Sequence, residues 1–137
     1  MTPNAPLAAT LLRLGLGTTM LAHGLLKVTV YTLPGTVAFF ESSGFPGWLA
    51  YPVTAGEILG GIALLVGFLV RTASLALVPI LAGATLTVAP NGWVFNAPQG
   101  GGWEFPAFLL LAAVLQALLG PGALALGNLF NRRPARA

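Results

Sequence analysis

A histidine, a lysine and two glutamates stand where so apolar a chain has little use for charge. His23 and Lys27 are four residues apart and so share one face of a helix, and Arg13 lies within about 80° of that face. Glu57 falls inside a later apolar run and Glu104 at the start of another. Imidazole and carboxylate are common proton carriers in catalysis, and an ammonium donates up to three hydrogen bonds to carbonyl or carboxylate oxygens. A charge at the centre of a bilayer costs roughly 2.5 to 3.5 kcal/mol on insertion scales, so such residues pair, face a bundle interior or mark a pathway.

The background makes these residues conspicuous. Of 137 residues, 56% are apolar and only 7% charged, with a mean hydropathy of +0.87. That composition indicates an integral membrane protein of one domain. The net charge of +3 is not a nucleic-acid signature: Arg132, Arg133 and Arg136 supply the excess, in a tail at 132–137 that suits anionic lipid at a cytoplasmic surface. With no cysteine, the chain has no thiolate for iron–sulfur clusters or zinc, and one histidine cannot give bis-histidine haem. No haem, iron–sulfur cluster or metal is therefore expected within this chain, and no nucleic-acid partner. The first apolar run carries its positive charge within itself and lacks a small-residue cleavage site, so it is expected to be a retained helix.

Four runs, at 7–27, 51–70, 72–89 and 105–119, are each near the length that crosses the bilayer. They are continuously apolar rather than alternating, so the expected fold is an all-α four-transmembrane-helix bundle. The last run is short and is expected to continue as a broken turn after Gly120-Pro121-Gly122. Arg13, Arg71 and the tail fall on one side against Lys27 on the other, which predicts both termini cytoplasmic. The second and third runs are joined only by a turn around Arg71. The outer connections are long: the first predicts a short interfacial helix over Thr36 to Ser43, and the second carries Trp93, Phe95 and three glycines before Trp103. Trp48, Tyr51, Trp93 and Trp103 form an aromatic belt. Gly56 and Gly60 match GxxxG, which predicts close helix packing, while Pro79 with Gly83 and Ala84 predicts a kink and packing.

Counting depth at 1.5 Å per residue puts Lys27 at the outer interface, His23 about 6 Å in and Glu57 about 9 Å in. His23 and Glu57 are then neighbours in depth, Lys27 is level with Glu104, and an inner pair of Arg13 and Gln116 lies about 20 Å below. The outer group is the candidate pocket, with His23 and Glu57 as proton carriers, and Lys27, Glu104, Trp103 and Tyr51 as substrate-binding residues. Arg13, Gln116 and Arg71 are read as structural polar residues. Mutual pairing with no ligand remains the alternative reading of the same cluster.

Several short motifs recur in a familiar order: Leu12-Arg13-Leu14-Gly15, His23-Gly24-Leu25-Leu26-Lys27, Gly44-Phe45-Pro46, Glu57-Ile58-Leu59-Gly60-Gly61, Gly102-Trp103-Glu104-Phe105-Pro106 and Gly120-Pro121-Gly122. In order and spacing they resemble the DoxX family over nearly the whole chain. The resemblance implies a small four-helix inner-membrane protein, often linked to quinone chemistry or to terminal-oxidase and thiosulfate:quinone oxidoreductase systems. It also implies that Arg13, His23, Lys27, Glu57, Arg71 and Glu104 occupy the family's recurring polar positions. Two departures stand out: Val88-Ala89-Pro90-Asn91 lacks the histidine that members often carry at the end of the third helix, and Ala125 to Asn128 lacks an aspartate.

The functional expectation is a quinone or quinol site in the outer half of the bundle. An apolar slot with a few convergent donors suits a quinone head, and its reduction needs proton carriers of the His and Glu type. In this reading Lys27 and His23 meet the carbonyl oxygens, Glu57 orients His23, and Glu104 holds Lys27. The electron source lies in another protein, so partners are the bilayer and redox-complex subunits or further copies of the chain. A non-catalytic accessory or assembly subunit is the runner-up, favoured by 18 glycines. A small transporter or proton pathway is a third reading.

Overall fold

Apolar periodicity without alternation builds helices. The structure, a computed structural model, describes residues 4–130, and they are all helix and connection with no strand. They form α1 (Ala5–Thr29), α2 (Leu33–Ser42), α3 (Ala50–Val66), α4 (Val70–Val88), α5 (Glu104–Leu119) and a final turn α6 (Gly127–Phe130), with 3-10 turns at Gly47–Leu49 and Ala89–Asn91. The stretches Ala5–Thr29, Gly47–Val66 and Val70–Asn91 are long and apolar enough to cross a membrane. α5, the expected fourth span, is a shorter apolar helix of 16 residues that rises about 24 Å. The basic tail at 132–137 lies outside the described residues.

Large side chains point outward as lipid-facing helices require: Leu59, Leu75, Leu86 and Leu118 are exposed, whereas Leu16, Met20, Leu64, Leu77 and Ala113 form the core. In hydrocarbon a bundle gains from close packing more than from apolar burial, so small residues decide where helices touch. α1 lies against α3 through Gly17, Gly24 and Gly61. A Cβ on Gly61 would stand 2.6 Å from the Leu21 amide nitrogen, and one on Gly24 would stand 3.0 Å from that of Ile58. The GxxxG pair also packs closely, against α4 rather than α1. Gly56 and Gly60 receive Ile80 and Leu77 of α4 in side-chain contact, and the backbone approach belongs to Gly61.

α3 ends four residues earlier than its apolar run. Gly67 takes φ +75°, its N–H donates to the carbonyls of Ala63 and Leu64, and Phe68 N–H donates to Ala63, which is a Schellman stop. The hairpin turn is therefore Gly67 to Leu69, and Arg71 sits in the first turn of α4 instead of in the connection. After α5, Gly120 and Gly122 at positive φ turn the chain sideways. It ties to the start of α1 through Ala123 N–H on the Pro6 carbonyl (3.1 Å), and to the end of α3 through Leu126 N–H on Val66 (3.1 Å) and Gly127 N–H on Gly67 (2.9 Å). The first long connection does contain a helix, but it begins earlier than expected. Thr32 accepts a hydrogen bond from Gly35 N–H; Pro34 and Gly35 lie in the first turn of α2, and Gly44 and Pro46 follow its end.

Candidate functional site

Gly24 brings α1 so close to α3 at Ile58 and Glu57 that Lys27, one turn further on, reaches the α3 carboxylate. Lys27 Nζ donates to Glu57 Oε2 at 2.7 Å and to Oε1 at 2.9 Å. Glu57 is buried and Lys27 half-buried, and theirs is the one salt bridge among the described residues. An ammonium has three donors, so this arrangement leaves one N–H of Lys27 free of the carboxylate. Thr36 of α2 secures the end of α1: its hydroxyl donates to the Thr32 carbonyl at 2.9 Å and stands 3.5 Å from that of Lys27.

The pair forms part of the wall of a partly open cavity of about 340 Å³ between α2, α3 and α4. Phe39, Phe40 and Phe45 close it on the α2 side, Val53 on α3, and Ile80 and Thr87 on α4. Pro79 and Gly83, which the sequence marks as a kink and a packing point, also line it; a Cβ on Gly83 would meet nothing within 4 Å. Phe39 and Phe40 of α2, and Phe45 just beyond it, line the cavity but are absent from the residues expected there. Their only signal is that three aromatics flank the Gly44-Phe45-Pro46 turn, and periodicity cannot say which way that turn folds.

The outer charges do not converge as depth alone predicts. Lys27 pairs with Glu57, not with Glu104. Glu104 Oε1 instead accepts the Phe95 N–H at 3.1 Å, because the second connection folds back and pairs Trp103 N–H with Gly92 and Glu104 N–H with the Trp93 carbonyl. His23 makes no hydrogen bond to Glu57 among the described residues. Its exposed ring stacks on Phe105 of α5 at 6.1 Å and 29°, since α1 is wedged between α3 and α5 and His23 faces the α5 side. Trp103 meets Trp93 edge-on at 4.5 Å, and Tyr51 is exposed at the start of α3; neither lines the cavity. Glu104 and Phe105 line a broader, separate groove with Trp93, Phe95 and Phe108.

At the opposite end the arginines cap helices. Arg13, fully buried, donates from Nη1 to the carbonyls of Leu64 (2.7 Å) and Leu65 (3.2 Å) at the end of α3, and from Nη2 to that of Leu124. Arg71 does the same for α5, donating to Ala117 (2.8 Å) and Leu118 (3.1 Å). Cations belong at helix C-termini, where carbonyls lack partners and the dipole is negative. Gln116 turns its amide nitrogen to the Gly120 carbonyl at 2.7 Å and makes no hydrogen bond to Arg13, so in place of the expected inner pair each side chain donates separately to backbone carbonyls. No group of three or more metal-ligating side chains occurs among the described residues.

A small helical membrane protein with an ion pair set in an aromatic cavity is thus the class that fold and site define. The DoxX family model matches residues 8–90, and the chain belongs to the DoxX family. It is 34% identical over 126 residues to the Bacillus subtilis (strain 168) protein named "Putative oxidoreductase CatD", covering 92% of this chain and 89% of that one. It is 33% identical over 112 residues to "Inner membrane protein YqjF" of Escherichia coli (strain K12), covering 78% and 79%. No solved structure matches the chain.

Proposed function

We propose that this chain binds a quinone or quinol in the cavity between α2, α3 and α4 and serves a membrane redox system. One observation carries the reading: the salt bridge of Lys27 and Glu57 stands in the wall of a cavity otherwise formed by aromatic and aliphatic side chains. That is the donor set a quinone head needs, an apolar slot with one or two fixed polar groups. Phe39 and Phe40 offer ring faces, and the N–H of Lys27 not used by Glu57 offers a donor to a carbonyl oxygen. A bound quinone supplies two-electron, two-proton chemistry, which the chain's own side chains cannot.

The residues around it have separable tasks. Glu57 holds Lys27 in position through both carboxylate oxygens, and its carboxylate can take a proton when the pair opens. α2 covers the cavity and excludes water. His23 lies on the α5 side of α1, so proton handling falls to Glu57 rather than to an imidazole–carboxylate relay. Electrons come from a partner redox protein, and the relative named as an oxidoreductase supports a redox setting. We place the chain in the inner membrane with both termini cytoplasmic and α2 on the outer interface; Arg13 and Arg71, at the end of the bundle away from Lys27, support this. A conduction pathway finds less support, because Arg13 is held by helix-end carbonyls and does not continue the stripe of Lys27.

The test is solvent extraction of protein purified in mild detergent, followed by mass spectrometry. The reading expects near-stoichiometric quinone and a rise in melting temperature when a short-chain quinone is added, both reduced in Lys27→Met. Wild-type protein that carries no quinone and gains no thermal protection overturns it.

A further inference from the structure

We propose that the second groove, where the connection from Gly92 to Trp103 meets α5, holds the ammonium headgroup of a zwitterionic phospholipid. The groove, of about 630 Å³, is lined by Trp93, Phe95, Glu104, Phe105 and Phe108, so a single carboxylate stands among aromatic rings. Aromatic faces and a carboxylate together attract an organic cation: the rings through their quadrupoles, the carboxylate through its charge. Glu104 is available for this. One oxygen, Oε1, accepts the Phe95 N–H at 3.1 Å, and no lysine or arginine among the described residues pairs with it, since Lys27 is taken by Glu57.

The loop that carries the rings is built rather than loose. Asn91 Nδ2 donates to the Gly101 carbonyl at 2.8 Å, Trp103 N–H to Gly92 at 3.1 Å and Glu104 N–H to Trp93 at 3.2 Å. Trp93 is further held edge-on by Trp103 at 4.5 Å. The loop side of the groove is therefore preorganised beside the carboxylate.

What makes the occupant a lipid is the helix below the groove. Phe108, Leu111, Leu115 and Leu118 follow Glu104 at spacings of four, three, four and three, which keeps all five within an arc of about 80°. All four apolar members are exposed, from 42% at Leu115 to 69% at Leu118. A headgroup at Glu104 would thus have a continuous apolar track for its acyl chain down the outside of α5. An anionic phospholipid without an ammonium group would instead bring its phosphate toward an unpaired carboxylate. Phosphatidylethanolamine fits the charge and phosphatidylglycerol does not.

Native mass spectrometry of the full chain in detergent micelles containing equal amounts of these two lipids, with matched acyl chains, tests the assignment. Phosphatidylethanolamine should be retained about fivefold over phosphatidylglycerol, an advantage of the size expected from one partly desolvated cation site. Glu104→Gln should bring the two to parity while keeping an amide oxygen to accept the Phe95 N–H. Should that variant lose its helical signal, Trp93→Leu, which leaves the carboxylate and its hydrogen bond in place, should also reduce the selectivity. Parity in the wild type, or selectivity unchanged in either folded variant, overturns the proposal. Displacement of the lipid by millimolar free ethanolamine also overturns it, by assigning the groove to a soluble ammonium compound.

Discussion

The Lys27–Glu57 pair is the residue-scale centre of the molecule. A buried carboxylate with both oxygens bonded to one ammonium is stable only while the ammonium stays, because removing one partner leaves the other charge desolvated and alone. Lys27→Met should therefore destabilise the fold by about 2 to 4 kcal/mol in a denaturant titration in detergent, whereas Lys27→Met with Glu57→Leu should regain most of that loss. Arg13 makes a different demand. Its fork spans two chain segments, the end of α3 and the carbonyl of Leu124, which a lysine cannot do from one point charge. Arg13→Lys should lose about 1 to 2 kcal/mol and Arg13→Met about 3, read from the same titration. The identity of the polar residues was legible from their cost in lipid. Their partners were not: depth counting gives a level but no azimuth, and the long stem of Lys27 lets its ammonium reach inward to the deeper Glu57.

At the scale of elements, glycines set the distances that decide those partners. Gly17, Gly24 and Gly61 let α1 touch α3 backbone to backbone, and this contact turns Lys27 toward Glu57 while leaving His23 to Phe105. Gly61→Ala should push the pair apart and lower stability by about 1 to 3 kcal/mol, whereas Gly15→Ala, whose Cβ would meet nothing within 4 Å, should leave the melting temperature unchanged. The spans themselves were readable because hydrophobic continuity is a local property. So was the break at Gly120-Pro121-Gly122. The Gly67 stop lay hidden inside an apolar run, since a Schellman turn in lipid needs no change of polarity. The GxxxG pair pointed to close packing but could not say against which helix: Gly60 meets Leu77 of α4, whereas the adjacent Gly61 meets the backbone of α1. The fold-back that gives Glu104 to Phe95 rests on hydrogen bonds between loop residues, which leave no periodic trace.

For the whole molecule, belonging to the DoxX family and being built of apolar helices long enough to cross a bilayer make this a membrane protein. Two of its recesses are served by separate charges, Lys27 with Glu57 in one and Glu104 in the other. The central claim concerns the first recess: that a quinone occupies the cavity under α2. Gly83→Leu is a direct way to fill that space, because the side chain would project where a Cβ meets no neighbour within 4 Å. Photolabelling of the purified wild-type chain with an azido-quinone, followed by peptide mapping, is the measurement to make. Label should fall on the α2 segment around Phe39 to Phe45 and on α4 between Pro79 and Val88, should be competed by unmodified quinone, and should fall at least tenfold in Gly83→Leu. Label that concentrates beside His23 and Phe105, or that is unchanged in a folded Gly83→Leu protein, would contradict the account.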